Sequence, residues 1–293
     1  PSSTINVTQF AITTESHSGR ILVLASPAFF YPTPSLLQGL IAIGLNAVLC
    51  AIAYLAPKKL LTPAGWFHAW ILGSVVWGSL GWQGYLIVLV YFFVGSAVTK
   101  VGMAEKEAAG IAEKRSGARG PENVWGSALI GALCAVGIWL LALLLPQTPT
   151  TSQLISLLAL GYVASFSTKL ADTCASEIGK AYGQRTFLIT TLQAVPRGTE
   201  GAVSLEGTLA GIGGAIAIAL VGWGVGFLSP IGIGICILAA FIATNLESVI
   251  GATLQTRWTW LTNELVNIIN TLIGASVAIA IGAALQSLPG VLP

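Results

Sequence analysis

The sequence predicts an all-α integral membrane protein, a polytopic transmembrane helical bundle of about eight spans. Three observations lead there. Hydrophobic residues make up 55% of the chain and charged ones only 8%, where a soluble domain carries about a quarter charged. So few charges cannot clothe the surface of a water-soluble fold. The apolar runs are also long enough to cross a bilayer, which takes about 20 helical residues. Finally, nearly all of the 13 Lys and Arg fall in alternate loops, the distribution that the positive-inside rule produces.

Residues 1–34 are polar, carry Pro27, Pro32 and Pro34, and read as an irregular arm. No basic segment followed by a short apolar core is found there, so no signal peptide is expected. Residues 35–293 read as a single transmembrane helical domain. Its apolar runs cover 35–56, 64–80, 82–98, 123–146, 153–171, 207–228, 230–250 and 262–285. The second and third are short and meet at Gly81-Trp82-Gln83-Gly84, and two tilted spans are preferred there to one long broken segment, within a range of seven to nine spans overall. Ser229-Pro230 separates the sixth run from the seventh. The 34 glycines suit close helix packing in lipid.

With eight spans, one face collects Lys58 and Lys59, then Lys100, Lys106, Lys114, Arg115 and Arg119, then Lys169, Lys180, Arg185 and Arg197, and finally Arg257. Only Arg20 remains in the opposite arm, and the turns at 81–84, 146–152 and 229–230 carry neither Lys nor Arg. The charged face is expected to be the cytoplasmic one or its equivalent. A net charge of +2 without a basic tract is too small to imply nucleic acid, and no such partner is expected. Cys50, Cys134 and Cys236 lie in apolar runs, Cys174 stands beside an acidic motif, no CxxC pair occurs, and His17 and His68 are the only histidines. A zinc site or a disulfide framework is not expected. Nor is there a GxxxxGK[ST] phosphate loop.

The polar residues gather in loops 99–122, 172–206 and 251–262. The first is expected to hold a helix over 103–116. In the second, Asp172 stands at the mouth of an apolar helix with Ser176 at i+4 and Lys180 at i+8, and Lys169 at i−3 extends the same stripe. Glu177, at i+5, points elsewhere and serves another contact or a second metal. The plain alternative is an ion-pair cluster at the membrane surface. Downstream, Val195-Pro196-Arg197-Gly198-Thr199-Glu200-Gly201 leads into Ser204, Glu206 and Thr208 at the start of the sixth span. Backbone amides of a Gly-rich turn entering a helix can cradle phosphate, and Arg197 can fork two phosphate oxygens; helix capping accounts equally for Ser204 or Thr208. Asn245, Glu247 and Ser248 end the seventh run, and Asn263, Asn267 and Asn270 share one face of the last helix beside Glu264. A carboxylate near the bilayer centre costs roughly 2.5–3.5 kcal/mol, so such residues usually line a cavity. Hydrogen bonding between helices is the alternative for the Asn face. Acidic residues for a metal, basic ones for phosphates and glycines for close approach suit Mg²⁺-dependent handling of a phosphorylated substrate with a lipid tail.

Two long motifs carry a resemblance. Lys169-Leu-Ala-Asp172-Thr-Cys-Ala-Ser-Glu-Ile-Gly-Lys-Ala-Tyr-Gly183 and Val195-Pro-Arg-Gly-Thr-Glu-Gly-Ala-Val-Ser-Leu-Glu-Gly-Thr-Leu-Ala-Gly211 closely resemble the integral-membrane phytyl-phosphate kinases of plastids and cyanobacteria, the family that includes animal transmembrane protein 19. Thr99-Lys100-Val-Gly102, Arg119-Gly-Pro-Glu-Asn-Val124, Asn245-Leu-Glu-Ser-Val-Ile-Gly-Ala252 and Asn263-Glu-Leu-Val-Asn267 extend it from about Leu36 to the C-terminus. A fainter likeness reaches the CTP-dependent phytol and dolichol kinases, although the lysine they place before Glu-Gly is replaced here by Ala202-Val203-Ser204.

The resemblance implies a kinase of the tocopherol and phylloquinone pathways. It would transfer the γ-phosphoryl group of a nucleoside triphosphate, CTP foremost, to phytyl or another isoprenyl monophosphate in a cyanobacterial membrane or plastid envelope. On that reading Asp172, Glu177 and Arg197 are catalytic, and Asp172 and Glu177 hold Mg²⁺, with Glu206 and Glu247 as further ligands. Lys100, Lys169, Lys180 and Arg185 hold phosphates, and Ser176, Thr199, Glu200, Ser204, Thr208, Asn245, Asn263 and Asn267 line the site. A homodimer is an open option. The rivals are a prenyl-phosphate transporter or flippase, a CTP-dependent prenol kinase, and a cytidylyltransferase.

Overall fold

The computed structural model describes residues 36–55, 60–113, 117–255 and 257–287. The arm read over 1–34 lies outside them, as do Lys58, Lys59, Lys114 and Arg115. The chain is helical: α1 (Leu36–Leu55), α2 (Pro63–Thr99), α3 (Met103–Ala108), α4 (Pro121–Leu144), α5 (Pro149–Tyr182), α6 (Leu205–Gly224), α7 (Pro230–Ile250, followed by a π-helical turn Gly251–Gln255) and α8 (Asn263–Gln286). Two three-residue strands, β1 (Thr186–Leu188) and β2 (Ala202–Ser204), pair antiparallel between α5 and α6 with Thr186 opposite Ser204. Six helices, α2 and α4–α8, are long and apolar enough to cross a membrane, and α1 contributes a shorter apolar stretch.

The helix starts follow local chemistry. Thr62, Thr148, Ser204, Ser229 and Thr262 each accept, through the side-chain oxygen, the backbone N–H three residues on. That satisfies one of the donors a helix leaves open at its first turn. Proline occupies the first helical position of α2, α4, α5 and α7, where its missing N–H costs nothing.

α2 holds the largest departure from regularity. Gly81 adopts φ 67°, ψ −161° inside it, a conformation that only glycine takes readily. A straight 37-residue helix would be about 55 Å long. Yet a side chain added at Gly65 would strike the Arg119 carbonyl oxygen, and one at Gly95 the Arg119 guanidinium. The Trp77 and Tyr85 rings lie 5.2 Å apart. The helix therefore folds back on itself at Gly81, as the preference for two segments over 64–98 expected. The Tyr162 hydroxyl donates to the Gly84 carbonyl at 2.7 Å and pins this turn to α5.

Three expectations are corrected. The helix expected over 103–116 is the single turn-and-a-half Met103–Ala108, ended by Gly110 at φ +70°. The loop read from 172 is helical as far as Tyr182, because Asp172, Ser176 and Lys180 form a polar continuation of α5. The loop read from 251 opens with a further helical turn on α7.

α5 is the axis of the bundle. It packs against α2, α4, α6, α7 and α8, and Tyr162, Val163, Phe166 and Leu170 are fully buried within it. α6 approaches it along a glycine seam: Gly207, Gly211 and Gly214 face the carbonyls of Ala175, Ala171 and Leu170. Any side chain on those three positions would strike α5. In lipid, where apolar burial against water does not drive helix association, such close backbone contact is a main source of it.

Candidate functional site

Among the described residues, the segments that carry Lys and Arg meet at one end of the bundle. Thr62 N–H donates to the Arg119 carbonyl and Arg119 N–H to the Leu60 carbonyl, both at 3.0 Å. Gly102 abuts Ala181, Gly198 (φ +83°) abuts Ile111, and Gly201 (φ +75°) sits against the Ser248 carbonyl and Ala252. The positive φ of the last two, with no room for a Cβ, explains glycine at both. Between these segments opens a cavity of about 480 Å³.

Lys169 and Asp172 stand at its base. Lys169 Nζ donates to Asp172 Oδ2 at 2.6 Å and to Asn267 Oδ1 at 2.7 Å. Both members of the ion pair are nearly buried, and charges in such a place require pairing and further hydrogen bonds to be tolerated. The stripe read from the i, i+4, i+8 spacing is confirmed as a surface: Asp172, Ser176 and Lys180 all line the cavity with Lys169. Thr199, Glu200, Ser204, Thr208, Asn245, Glu247, Asn263 and Asn267 line it too. Glu247 lies within electrostatic reach of Asp172, Lys169, Glu200 and Lys180. Among the polar residues at the start of α6, Ser204 caps the helix through Gly207 N–H, and Thr208 Oγ1 donates back to the Ser204 carbonyl.

Glu177, read as serving another contact or a second metal, also lines the cavity and has a side-chain partner there. Lys106 of α3 reaches it in an ion pair that is almost wholly buried, and the same ammonium donates to the Thr99 carbonyl at 2.8 Å. Lys180 Nζ stands 3.5 Å from the other Glu177 oxygen and 3.9 Å from Glu113. Glu177 thus fastens the 99–113 segment to α5. Arg197, read as a phosphate fork, is exposed and donates to the Ala181 carbonyl at 3.0 Å, in the last turn of α5. A cation there satisfies a terminal carbonyl and complements the helix dipole. Lys100, Arg185 and Glu206 also fall outside the cavity lining; Glu206 accepts the Gln184 N–H at 3.3 Å.

Arg119 is the cavity residue that sequence reasoning passed over. Its Nη1 donates to the Tyr91 hydroxyl at 2.8 Å, and its guanidinium carbon sits 5.1 Å from the centre of that ring. Ring stacking and the backbone bonds to 60–62 preset its position on the cavity lining. The signal was present, since Arg119-Gly-Pro-Glu-Asn-Val124 was among the motifs carrying the resemblance. Asn123 and Ser127 join the lining from the same stretch.

Among the described residues no group of three His, Cys, Asp or Glu side chains is placed to hold a metal, so the expected set of Asp172, Glu177, Glu206 and Glu247 is not gathered as one. Asp172, Glu177 and Glu247 all line the cavity, and pairing of Glu177 with Lys106 leaves Asp172 and Glu247 as the carboxylates for a metal. Two carboxylates fit Mg²⁺, which takes one or two from protein and completes its shell with water and substrate phosphate.

Fold and site define an integral, multi-pass helical membrane protein with a charged polar cavity at one end. The chain belongs to the integral membrane protein family DUF92, which it matches over residues 46–275. It is 66% identical over 245 residues to an uncharacterised membrane protein of Synechocystis, covering 84% of this chain and 92% of that protein. It is 47% identical over 221 residues to the chloroplastic protein VTE6 of Arabidopsis thaliana, 75% of this chain and 64% of the plant protein. An uncharacterised membrane protein of Methanocaldococcus jannaschii is 31% identical over 241 residues, 80% and 91% of the two chains. No solved structure matches.

Proposed function

We propose that this protein is a prenyl-phosphate kinase that transfers the γ-phosphoryl group of a nucleoside triphosphate, CTP foremost, to phytyl or another isoprenyl monophosphate. One observation carries the reading: a single cavity at the charged end joins Lys169, Lys180 and Arg119 to Asp172 and Glu247. Similarity to VTE6 and the motif resemblance to phytyl-phosphate kinases support it. A phosphate oxygen of the acceptor attacks the γ-phosphorus, the bond to the β–γ bridging oxygen breaks, and a nucleoside diphosphate leaves. Two anions must approach one another, so the protein's work is charge neutralisation and alignment, with little need for a general base. Lys169 and Lys180 neutralise phosphate oxygens from α5, and Arg119 offers a planar fork from the opposite wall. Asp172 and Glu247 would hold Mg²⁺, which supplies further neutralisation of the transferred group. Glu177 positions the site through Lys106.

The same reading takes α1, both halves of α2 and α4–α8 as eight crossings, with the cavity on the cytoplasmic or stromal side. A transporter needs polar lining toward both faces; the residues gathered here come from the charged end alone. The deciding assay offers phytol and phytyl phosphate side by side to the purified chain, with Mg²⁺ and each of CTP, ATP, GTP and UTP. Phytyl diphosphate formed from the monophosphate, with phytol poor or inert, is the expected result. Faster turnover of phytol would place the protein with the alcohol kinases instead.

A further inference from the structure

One wall of the cavity differs from the others. Along α6 its lining passes from Thr208 to Ile212 and Ala215, and along the antiparallel α7 from Asn245 to Phe241 and Ile237. Both series start polar at the charged end and turn apolar with depth. α4 and α8 bring only polar side chains to the same cavity. The apolar wall reaches well into the bundle: Ala215 lies eleven residues below the α6 cap at Ser204, about 16 Å along the helix. At that depth Ala215 packs with Ala171 and Ala240 in a small cluster separate from the main core, with Ile237 against it. Three methyl groups make a floor with little bulk. Phe241 lines the cavity and is itself 44% exposed, so this wall is not sealed by the rest of the bundle.

We propose that the α6–α7 wall is a slot for the hydrocarbon tail of a lipid monophosphate, entered laterally from the bilayer, and that Ala215 and Ile237 set the length of tail it accepts. This rests on the acceptor being a prenyl phosphate. The gradient matches such a molecule end for end. Its phosphate stands among Lys169, Lys180 and Arg119, while its tail runs down an apolar face. Lateral entry keeps the tail out of water throughout, whereas entry from the charged face would expose the whole chain to it. Apolar tail atoms add affinity until they meet the floor, so bulk at Ala215 shortens the accepted tail and space at Ile237 lengthens it.

The test uses the purified full chain in detergent with isoprenyl monophosphates of five, ten, fifteen and twenty carbons. Ala215→Leu is expected to lower the ratio of kcat/KM for the twenty-carbon over the five-carbon acceptor by about tenfold or more, and Ile237→Ala to raise that ratio. An unchanged ratio in both variants overturns the proposal. A second measurement needs no turnover and guards against a variant that fails to fold: a twenty-carbon alkyl monophosphate with a terminal diazirine, photolysed on the wild-type protein. Label in α6 and α7 peptides, competed by unlabelled phytyl phosphate, supports the slot. Label concentrated in α1, α2 or α4 overturns it. Label in α6 and α7 from a protein that turns over no prenyl phosphate would remove the kinase and leave the lipid-phosphate slot standing.

Discussion

At the scale of single residues, the most consequential contact is the buried pair of Lys106 and Glu177. Breaking a buried ion pair from one side strands a charge and typically costs about 3–5 kcal/mol. Lys106→Met and Glu177→Gln are therefore each expected to destabilise strongly in detergent melts, and the double variant to lose much less than the sum. Additive losses would show that the two side chains are not coupled. Asp172→Asn separates the other role. It is expected to lower kcat by about two to three orders of magnitude in a protein that still melts cooperatively, since an amide is a poor Mg²⁺ ligand. Near-normal turnover would make Asp172 simply the counter-ion of Lys169. Helix periodicity made the Lys169, Asp172, Ser176, Lys180 stripe legible in the sequence, because those positions share one face whatever surrounds them. It could not reveal what Glu177 meets, for its partner is 71 residues away. Nor could it separate Arg197, which bonds the end of α5 outside the cavity lining, from Arg119, held over Tyr91. Both are arginines beside glycine, and only the fold tells which one the cavity sees.

At the scale of elements, the glycines of Glu206-Gly-Thr-Leu-Ala-Gly211 were open to two uses, a phosphate cradle or close packing. The structure puts Gly207, Gly211 and Gly214 against α5 carbonyls, at the i, i+4, i+7 spacing of one helix face. Gly213 sits on the same helix with nothing within 4 Å of an added Cβ. This pair makes a controlled comparison. Gly211→Leu should force α6 off α5 and lower the melting temperature sharply or abolish expression, because overpacking alone costs about 1–3 kcal/mol and the obstacle here is backbone. Gly213→Leu, facing open space, should melt like the parent. Equal tolerance of both would mean that the seam contributes nothing. The polytopic helical class was legible because apolar runs and Ser/Thr-Pro starts are local, whereas eight spans were expected and six helices among the described residues are long and apolar enough to cross. The fold-back at Gly81 was half legible: the break showed in Gly81-Trp82-Gln83-Gly84, but the reversal depends on Asn46 of α1 and Tyr162 of α5 gripping it from other helices. Asn46 Oδ1, for example, accepts the Tyr85 hydroxyl at 2.7 Å.

At the scale of the whole molecule, charge and cavity coincide. Four segments far apart in sequence, around 60–62, 99–119, 180–204 and 248–257, converge at one end of the bundle. The turns of the other end, near Gly84 and Phe227, close on Tyr162. Positive charge is retained on the side from which membrane proteins insert, so on the proposed reading the distribution of Lys and Arg puts the cavity mouth on the cytoplasmic or stromal side, from which a nucleotide would enter. Lys100, Arg185 and Arg257 are all exposed at that end, and Gln147 is exposed in the turn between α4 and α5. Each can carry a single cysteine in a background lacking the four native ones, which are all free thiols. In right-side-out and inverted vesicles, a membrane-impermeant maleimide should label positions 100, 185 and 257 only when the interior face is outward. It should label position 147 only in the opposite orientation. Positions 100 and 185 reacting from opposite faces would separate α3 from the end of α5, break the Lys106–Glu177 contact and dissolve the cavity, and with it every assignment made to its lining. Labelling of all four from one face would require that neither α4 nor α5 crosses the bilayer, since position 147 lies between these two helices and positions 100 and 185 flank them. The charge pattern makes that outcome the less compatible one, since it would set the uncharged turns and the charged loops on the same side of the bilayer.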